Sequence, residues 1–99
     1  MGYFAHIEDN TVTQVIRIDN SVLGEDTLSF PDTEGAGRAY IANTLGLPGE
    51  WRQTSYNGSF RTRYAGIGYH FDRERDEFVP PGWELVHGEW TAPPSPQTV

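Results

Sequence analysis

The sequence predicts an α+β domain: mainly antiparallel β-hairpins, one short helix, and an extended proline-rich C-terminal tail. Three observations carry that prediction. Short turn signals, Asp9-Asn10, Asn57-Gly58 and His87-Gly88, separate runs rich in β-branched and aromatic residues. Only one stretch, ending at Leu45, reads as a helix. A chain of 99 residues holds a single core, which we place over 1–91, with the tail over 92–99.

Tyr3 to Glu8 and Thr11 to Ile18 are expected to form the first hairpin, closed by two residues that tolerate left-handed backbone. Strict alternation sets Ile7 opposite Val12, Ala5 opposite Gln14 and Tyr3 opposite Ile16. One face then carries Tyr3, Ala5, Ile7, Val12, Gln14, Ile16 and Ile18 and is the expected core side. The other carries Phe4, His6, Thr13, Val15 and Arg17 and needs partial cover. Asp19 to Pro31 reads as a loop that tucks Val22, Leu23, Leu28 and Phe30 under the domain. The helix follows, capped by Asp32 or Thr33 and weakened by Gly35 and Gly37 in its first turn. Gly46 is its left-handed cap, Leu47 folds back, and Pro48 forbids continuation.

Trp51 to Tyr56 and Ser59 to Tyr64 read as a second hairpin around Asn57-Gly58. Ile67 to Asp72 and Glu77 to Val79 form a third, turning through Arg73 to Asp76. Gly66 and Gly68, on either side of Ile67, predict a bulge or a close backbone approach. Trp83 to Val86 and Glu89 to Thr91 make a small fourth hairpin after Pro80-Pro81-Gly82. From Ala92 the run APPSPQTV cannot pair regularly.

Charge narrows the partners. Every basic residue is Arg, and seven Arg against fourteen Asp plus Glu leave a net charge of −7. That field repels nucleic-acid phosphates and anionic membrane surfaces, so neither is an expected partner. No apolar run approaches a membrane span, and no signal-peptide pattern opens the sequence. Without Cys there is no disulfide framework, thiolate nucleophile or thiolate zinc site.

Candidate chemistry is sparse. Glu34-Gly35-Ala36-Gly37 lacks the third glycine of a dinucleotide fingerprint, because Tyr40 stands there, and is read as a flexible helix start. Asp72, Glu74 and Asp76 alternate as in a calcium loop, but Glu77 replaces the turn glycine and Arg73 and Arg75 interrupt, so they read as a solvated turn. His6, His70 and His87 share no ligand spacing, and Thr54, Ser55 and Ser59 have no nucleophile-elbow context. We therefore expect no enzyme, no metal and no cofactor.

Aromatic and guanidinium side chains cluster between residues 51 and 90. Arg beside Tyr and Trp is the composition that protein interfaces favour. We take Trp51, Tyr56, Phe60, Arg61, Arg63, Tyr64, Tyr69 and Trp83 as partner-binding residues, with the tail from Pro93 as an arm. Arg61 and Tyr64 are expected to be replaceable without loss of the fold. A second reading has Trp83 and Trp90 stacking on sugar rings.

The stretch Trp51-Arg52-Gln53-Thr54-Ser55-Tyr56-Asn57-Gly58-Ser59-Phe60-Arg61 leads into Tyr64-Ala65-Gly66-Ile67-Gly68-Tyr69, Phe71-Asp72, Asp76, Phe78 and Pro80-Pro81. This string resembles a family of small proteins encoded by tailed bacteriophages. Their typical pattern is W-x-Q-T-S-Y-N…F-R…Y-A-G-I-G-Y-x-Y-D…R-D-x-F-x-P-P. Phe71 stands where Tyr is commoner and Arg52 where an apolar residue is commoner, and the segment from Phe4 to Asn20 also resembles the family. The resemblance covers about half of the chain and implies a small virion-associated protein. Within that context we expect a many-copy capsid decoration or cement role on the particle exterior, or a tail or adaptor component, with capsid or tail structural proteins as partners. A glycan- or receptor-binding module of a tail fibre, or a fibre-assembly chaperone, is the second reading.

Overall fold

β1 (Gly2–Glu8) and β2 (Thr11–Ile18) pair antiparallel, and Asp9 and Asn10 close them with φ of 52° and 60°. The structure, a computed structural model, describes residues 2–24 and 29–93. Antiparallel strands make two sheets around one main helix, the α+β class the sequence predicts. Of the expected tail, residues 94–99 lie outside the described residues, as does Leu28.

The hairpin register departs from strict alternation. Ile7 faces Val12 as expected, but His6 then faces Gln14, so Thr13 is an extra residue, a β-bulge. A one-residue slip sends every later side chain of β2 to the opposite face. Ala5 therefore faces Val15 and Phe4 faces Ile16, which corrects the expected faces. Both faces are cores. Ala5, Ile7 and Val12 pack with Ala65, Phe71 and Phe78 on one side, while Phe4 and Ile18 pack with Leu23, Ile41 and Trp51 on the other.

The expected loop after β2 begins with a one-turn helix, α1 (Asn20–Leu23). Asp19 caps it by accepting the Ser21 N–H at 2.9 Å, and Gly24 ends it at φ 71°. Leu23 is thereby fully buried. The main helix, α2 (Asp32–Tyr40), has Pro31 at its N-cap and no side-chain cap, so neither Asp32 nor Thr33 plays the expected part. Asp32 and Glu34 instead lie in the first turn, where the positive end of the helix dipole favours them. A wider π turn, Ile41–Leu45, completes the helix, and Gly46 caps it at φ 66° as predicted. Leu47 does fold back: its N–H reaches the Ile41 carbonyl at 3.1 Å.

β3 (Glu50–Thr54) pairs with β1, not with Ser59 to Tyr64. The chain does turn at Asn57-Gly58, where the Gly58 N–H bonds the Ser55 carbonyl at 3.0 Å. However, the Ser55 hydroxyl takes the Ser59 N–H, and Arg61 and Thr62 adopt positive φ of 54° and 68°, so no second strand forms. β4 (His70–Asp72) and β5 (Glu77–Val79) give the third hairpin with a shorter first strand. Gly66 to Tyr69 is a tight turn, with Gly68 at φ 91° and its N–H on the Val12 carbonyl at 2.8 Å. β6 (Glu84–Val86) and β7 (Glu89–Thr91) form the fourth hairpin as a separate two-stranded sheet. The main sheet runs β3-β1-β2-β4-β5.

The two early helix glycines differ. A Cβ on Gly37 would lie 2.0 Å from Cζ of Phe4, whereas one on Gly35 would meet nothing within 4 Å. The Phe4 ring packs against bare helix backbone, and Gly37 is what admits it. Gly35→Ala should stabilise by about 0.5–1 kcal/mol, because Ala loses less chain entropy in a helix. Gly37→Ala should destabilise by about 1–3 kcal/mol through overpacking, although Ala is the better helix former. Urea denaturation of the two variants checks this, and equal effects would contradict it.

Candidate functional site

Residues 55–66 leave the end of β3 as an irregular segment and attach to both edges of the main sheet. At the β3 edge, Gln53 donates its N–H to Glu34 Oε2 at 2.7 Å and accepts from Arg61 Nη1 at 2.9 Å. The hydroxyl of Thr54 accepts the Ala65 N–H at 2.8 Å. At the β5 edge, Phe78 donates its N–H to the Arg61 carbonyl at 3.4 Å and accepts from Arg63 Nη1 at 3.1 Å. Residues 55–66 therefore reach both open edges, at Gln53 together with Glu34 of α2 and at Phe78.

Arg61 is its hub. The side chain is 6% exposed and forms a fork with the Glu34 carboxylate, Nη1 to Oε2 and Nη2 to Oε1 at 3.3 Å. Its Nε donates to Asp76 Oδ1 at 2.8 Å, and the guanidinium lies 4.9 Å from the Phe30 ring centre. Burial opposes the charge, but the bonds to Glu34 and then Asp76 outweigh it and raise the pKa.

Beside this hub lies an open groove of about 370 Å³. One wall is Tyr56, 71% exposed, whose ring leans on Tyr3 at 5.5 Å and Tyr64 at 5.3 Å. The other is the Phe30–Phe60 pair, stacked at 3.9 Å and 4°. Polar groups lie between them: Thr33, whose hydroxyl donates to Gln53 Oε1 at 2.8 Å, and Asn57, whose Oδ1 accepts from Ser55 at 2.7 Å. Burial raises the Tyr64 phenol above its ordinary pKa, and the neighbouring phenols of Tyr3 and Tyr56 add to it. A second hollow, of about 340 Å³, opens between Arg38, Ala42, Leu47 and Trp51.

The β6–β7 hairpin is fastened at its flanks. Trp83 lies under the Arg63 guanidinium at 4.4 Å, and that arginine also pairs with Glu77 at 3.0 Å. Trp90 donates its indole N–H to Asp72 Oδ2 at 2.8 Å and meets the His70 ring edge-on at 4.8 Å. Burial tends to raise the Asp72 pKa, yet the bonds from Trp90 and Arg75 hold it below the usual value. Arg75 Nε also bonds the Gly88 carbonyl at 3.2 Å. Across the β1–β2 turn, Arg73 bonds Asn10 at 2.7 Å and forks onto Glu50; that bond, with help from Arg52, draws the Glu50 pKa down to about 2.

The predicted partner residues thus separate. Trp51 is 4% exposed, packed on His6 with its indole N–H on the Pro48 carbonyl, and with Arg61 it lies inside the domain. Neither offers a surface, which corrects their placement among the partner-binding residues, and the bonds of Arg61 to Glu34 and Asp76 argue against its replacement without loss of the fold. Tyr69 packs on the core beside Gly66, where a Cβ would come within 2.8 Å of its ring. Tyr56, Tyr64 and Phe60 come together around the groove, Arg63 and Trp83 pair beneath the hairpin, and exposed Pro93 lies against the hairpin with Gly82 and Glu84. Sequence reasoning missed Tyr3, Phe30, Thr33 and Asn57 in the groove. It also missed Leu85 and Val86 on the hairpin, 45% and 42% exposed. Among the described residues no His, Asp and Glu group can hold a metal ion, and no helix is long and apolar enough to cross a membrane.

No family model, curated protein or solved structure matches the chain.

Arg61→Ala should cost about 3–5 kcal/mol, since it strands the Glu34 carboxylate in a buried site. Tyr56→Ala should stay within about 0.5 kcal/mol as an exposed substitution. Chemical denaturation distinguishes them; similar midpoints would show that Arg61 does not hold the sheet edges.

Proposed function

We propose that the chain is a structural accessory protein of a tailed-phage particle, a decoration or cement subunit on the capsid exterior that acts through protein–protein contacts. One observation carries the contact role: the β6–β7 hairpin forms its own two-stranded sheet, and every residue from Glu84 to Glu89 is exposed, Leu85 and Val86 among them. A two-stranded hairpin is marginal in water by itself, so apolar residues there are best spent against another protein. The radius of gyration, 15.0 Å, exceeds the ~13 Å of a compact chain this long, in keeping with a projecting element. The phage setting rests on the Trp51–Pro81 string and its family likeness. Net −7 charge suits a solvent-facing exterior better than a surface against packaged DNA.

The sugar-binding reading rested on exposed Trp83 and Trp90; both are half-buried, Trp83 against the Arg63 guanidinium and Trp90 against Asp72 and His70, which favours the protein-contact reading.

Quantitative mass spectrometry of purified particles from the encoding phage tests the proposal. It should find the chain in high copy number, and Leu85→Asp with Val86→Asp should lower its occupancy while the isolated chain stays folded. A handful of copies would point to the tail instead. Absence from the particle would overturn the reading.

A further inference from the structure

We propose that the groove between Tyr56 and the Phe30–Phe60 pair is a docking site for the proline-rich segment Pro93–Gln97 of a neighbouring copy. The groove is uncharged: its lining consists of Tyr, Phe, Ser, Thr, Gln and Asn, although acids outnumber arginines two to one in the chain. Residues 91–99, Thr-Ala-Pro-Pro-Ser-Pro-Gln-Thr-Val, likewise carry no charged side chain. Pairing the two therefore strands no ion away from water.

The chemistry also matches. Pro93 and Pro96 are spaced as Pro-x-x-Pro, the period of the three-residue polyproline turn, and such segments dock on aromatic-lined grooves. Proline fixes its own φ, so little conformational freedom remains to be lost on docking. It also lacks an N–H, so the segment mainly asks its host for donors to its carbonyls. The groove can meet that need: the Asn57 Oδ1 is taken by Ser55 and Ser59, so its amide N–H groups are what that side chain has to give.

In its own molecule the segment starts elsewhere: Pro93 lines a separate hollow with Gly82, Glu84 and Val86, and the hairpin that leads to it is anchored on Asp72, Arg75 and Arg63, none of which lines the groove. A segment of one copy in the groove of the next makes a head-to-tail contact, which is weak singly and strong when repeated. The inference needs no phage: it concerns what this chain does with itself.

The test is a titration of the isotope-labelled full chain with a synthetic peptide of residues 91–99, followed through backbone amide and tyrosine NMR signals. Saturable shifts should appear at Tyr3, Gln53, Tyr56 and Asn57. Tyr56→Ala in the chain should weaken the peptide by about tenfold, as expected for loss of one aromatic platform. A peptide carrying Pro93→Ala and Pro96→Ala should lose its effect. Absent or unsaturable shifts, or shifts confined to another face, would overturn the proposal. So would a neutral trisaccharide moving these signals where the peptide does not. If Pro93→Ala with Pro96→Ala in the full chain moves the groove signals equally at all dilutions, the segment docks on its own molecule and the neighbouring-copy claim falls. A chain missing from particles but binding the peptide would sink the phage reading alone.

Discussion

An open strand edge exposes N–H and C=O groups that must find partners or invite unwanted strands. The five-stranded sheet has two such edges, β3 and β5, and β6 and β7 pair with each other rather than with either. It uses side chains in place of covering strands. Glu34 stands in for a neighbouring strand's acceptor at the Gln53 N–H, and Arg61 for its donor at the Gln53 carbonyl. The Arg61 backbone and the Arg63 guanidinium do the same for Phe78 across the sheet. Most of what residues 55–66 do follows from that constraint, including the left-handed backbone at Arg61 and Thr62, a conformation costly for a β-branched residue.

The same constraint decides which side chains remain for other work. Arg61 and Trp51 have the composition of interface residues, yet both are consumed internally. Arg63, Trp83, Asp72 and Trp90 are spent on holding the last hairpin to the body. Left outward are Tyr56 with its groove and the apolar tip strand Leu85-Val86, besides the single side chains of Ile67 and Leu45. These two surfaces differ in character, one concave, uncharged and aromatic, the other a short exposed ribbon.

Much of the fold was legible because it depends on local chemistry. Asp9-Asn10 and His87-Gly88 each supply two residues at positive φ, the requirement of a tight hairpin, and both hairpins form. Gly46 and Pro48 likewise mark the end of the helix. The bulge at Thr13 was not legible, since nothing in Val12-Thr13-Gln14 announces an extra residue, and missing it reversed the faces of Val15, Ile16 and Ile18. Asn57-Gly58 gave a true turn and a false hairpin: Ser55 satisfies the turn from within, while β3 pairs with β1, whose partner residues from Ile7↔Glu50 to Tyr3↔Thr54 lie far back in the chain. Long-range pairing of that kind leaves no mark at the turn itself. The groove was half visible for a related reason. Tyr56, Phe60 and Tyr64 stand together in the chain, but Tyr3 and Phe30 reach them only through β1 and the start of α2.

The most direct measurement of the central claim is native-state hydrogen exchange at the Gln53 amide. If Glu34 and Arg61 close the β3 edge, that proton should exchange as slowly as the amides of central β1, through global unfolding alone. Exchange at the rate of an exposed edge, with β1 still protected, would show that the edge is open and that the buried ion pair does not hold the sheet together.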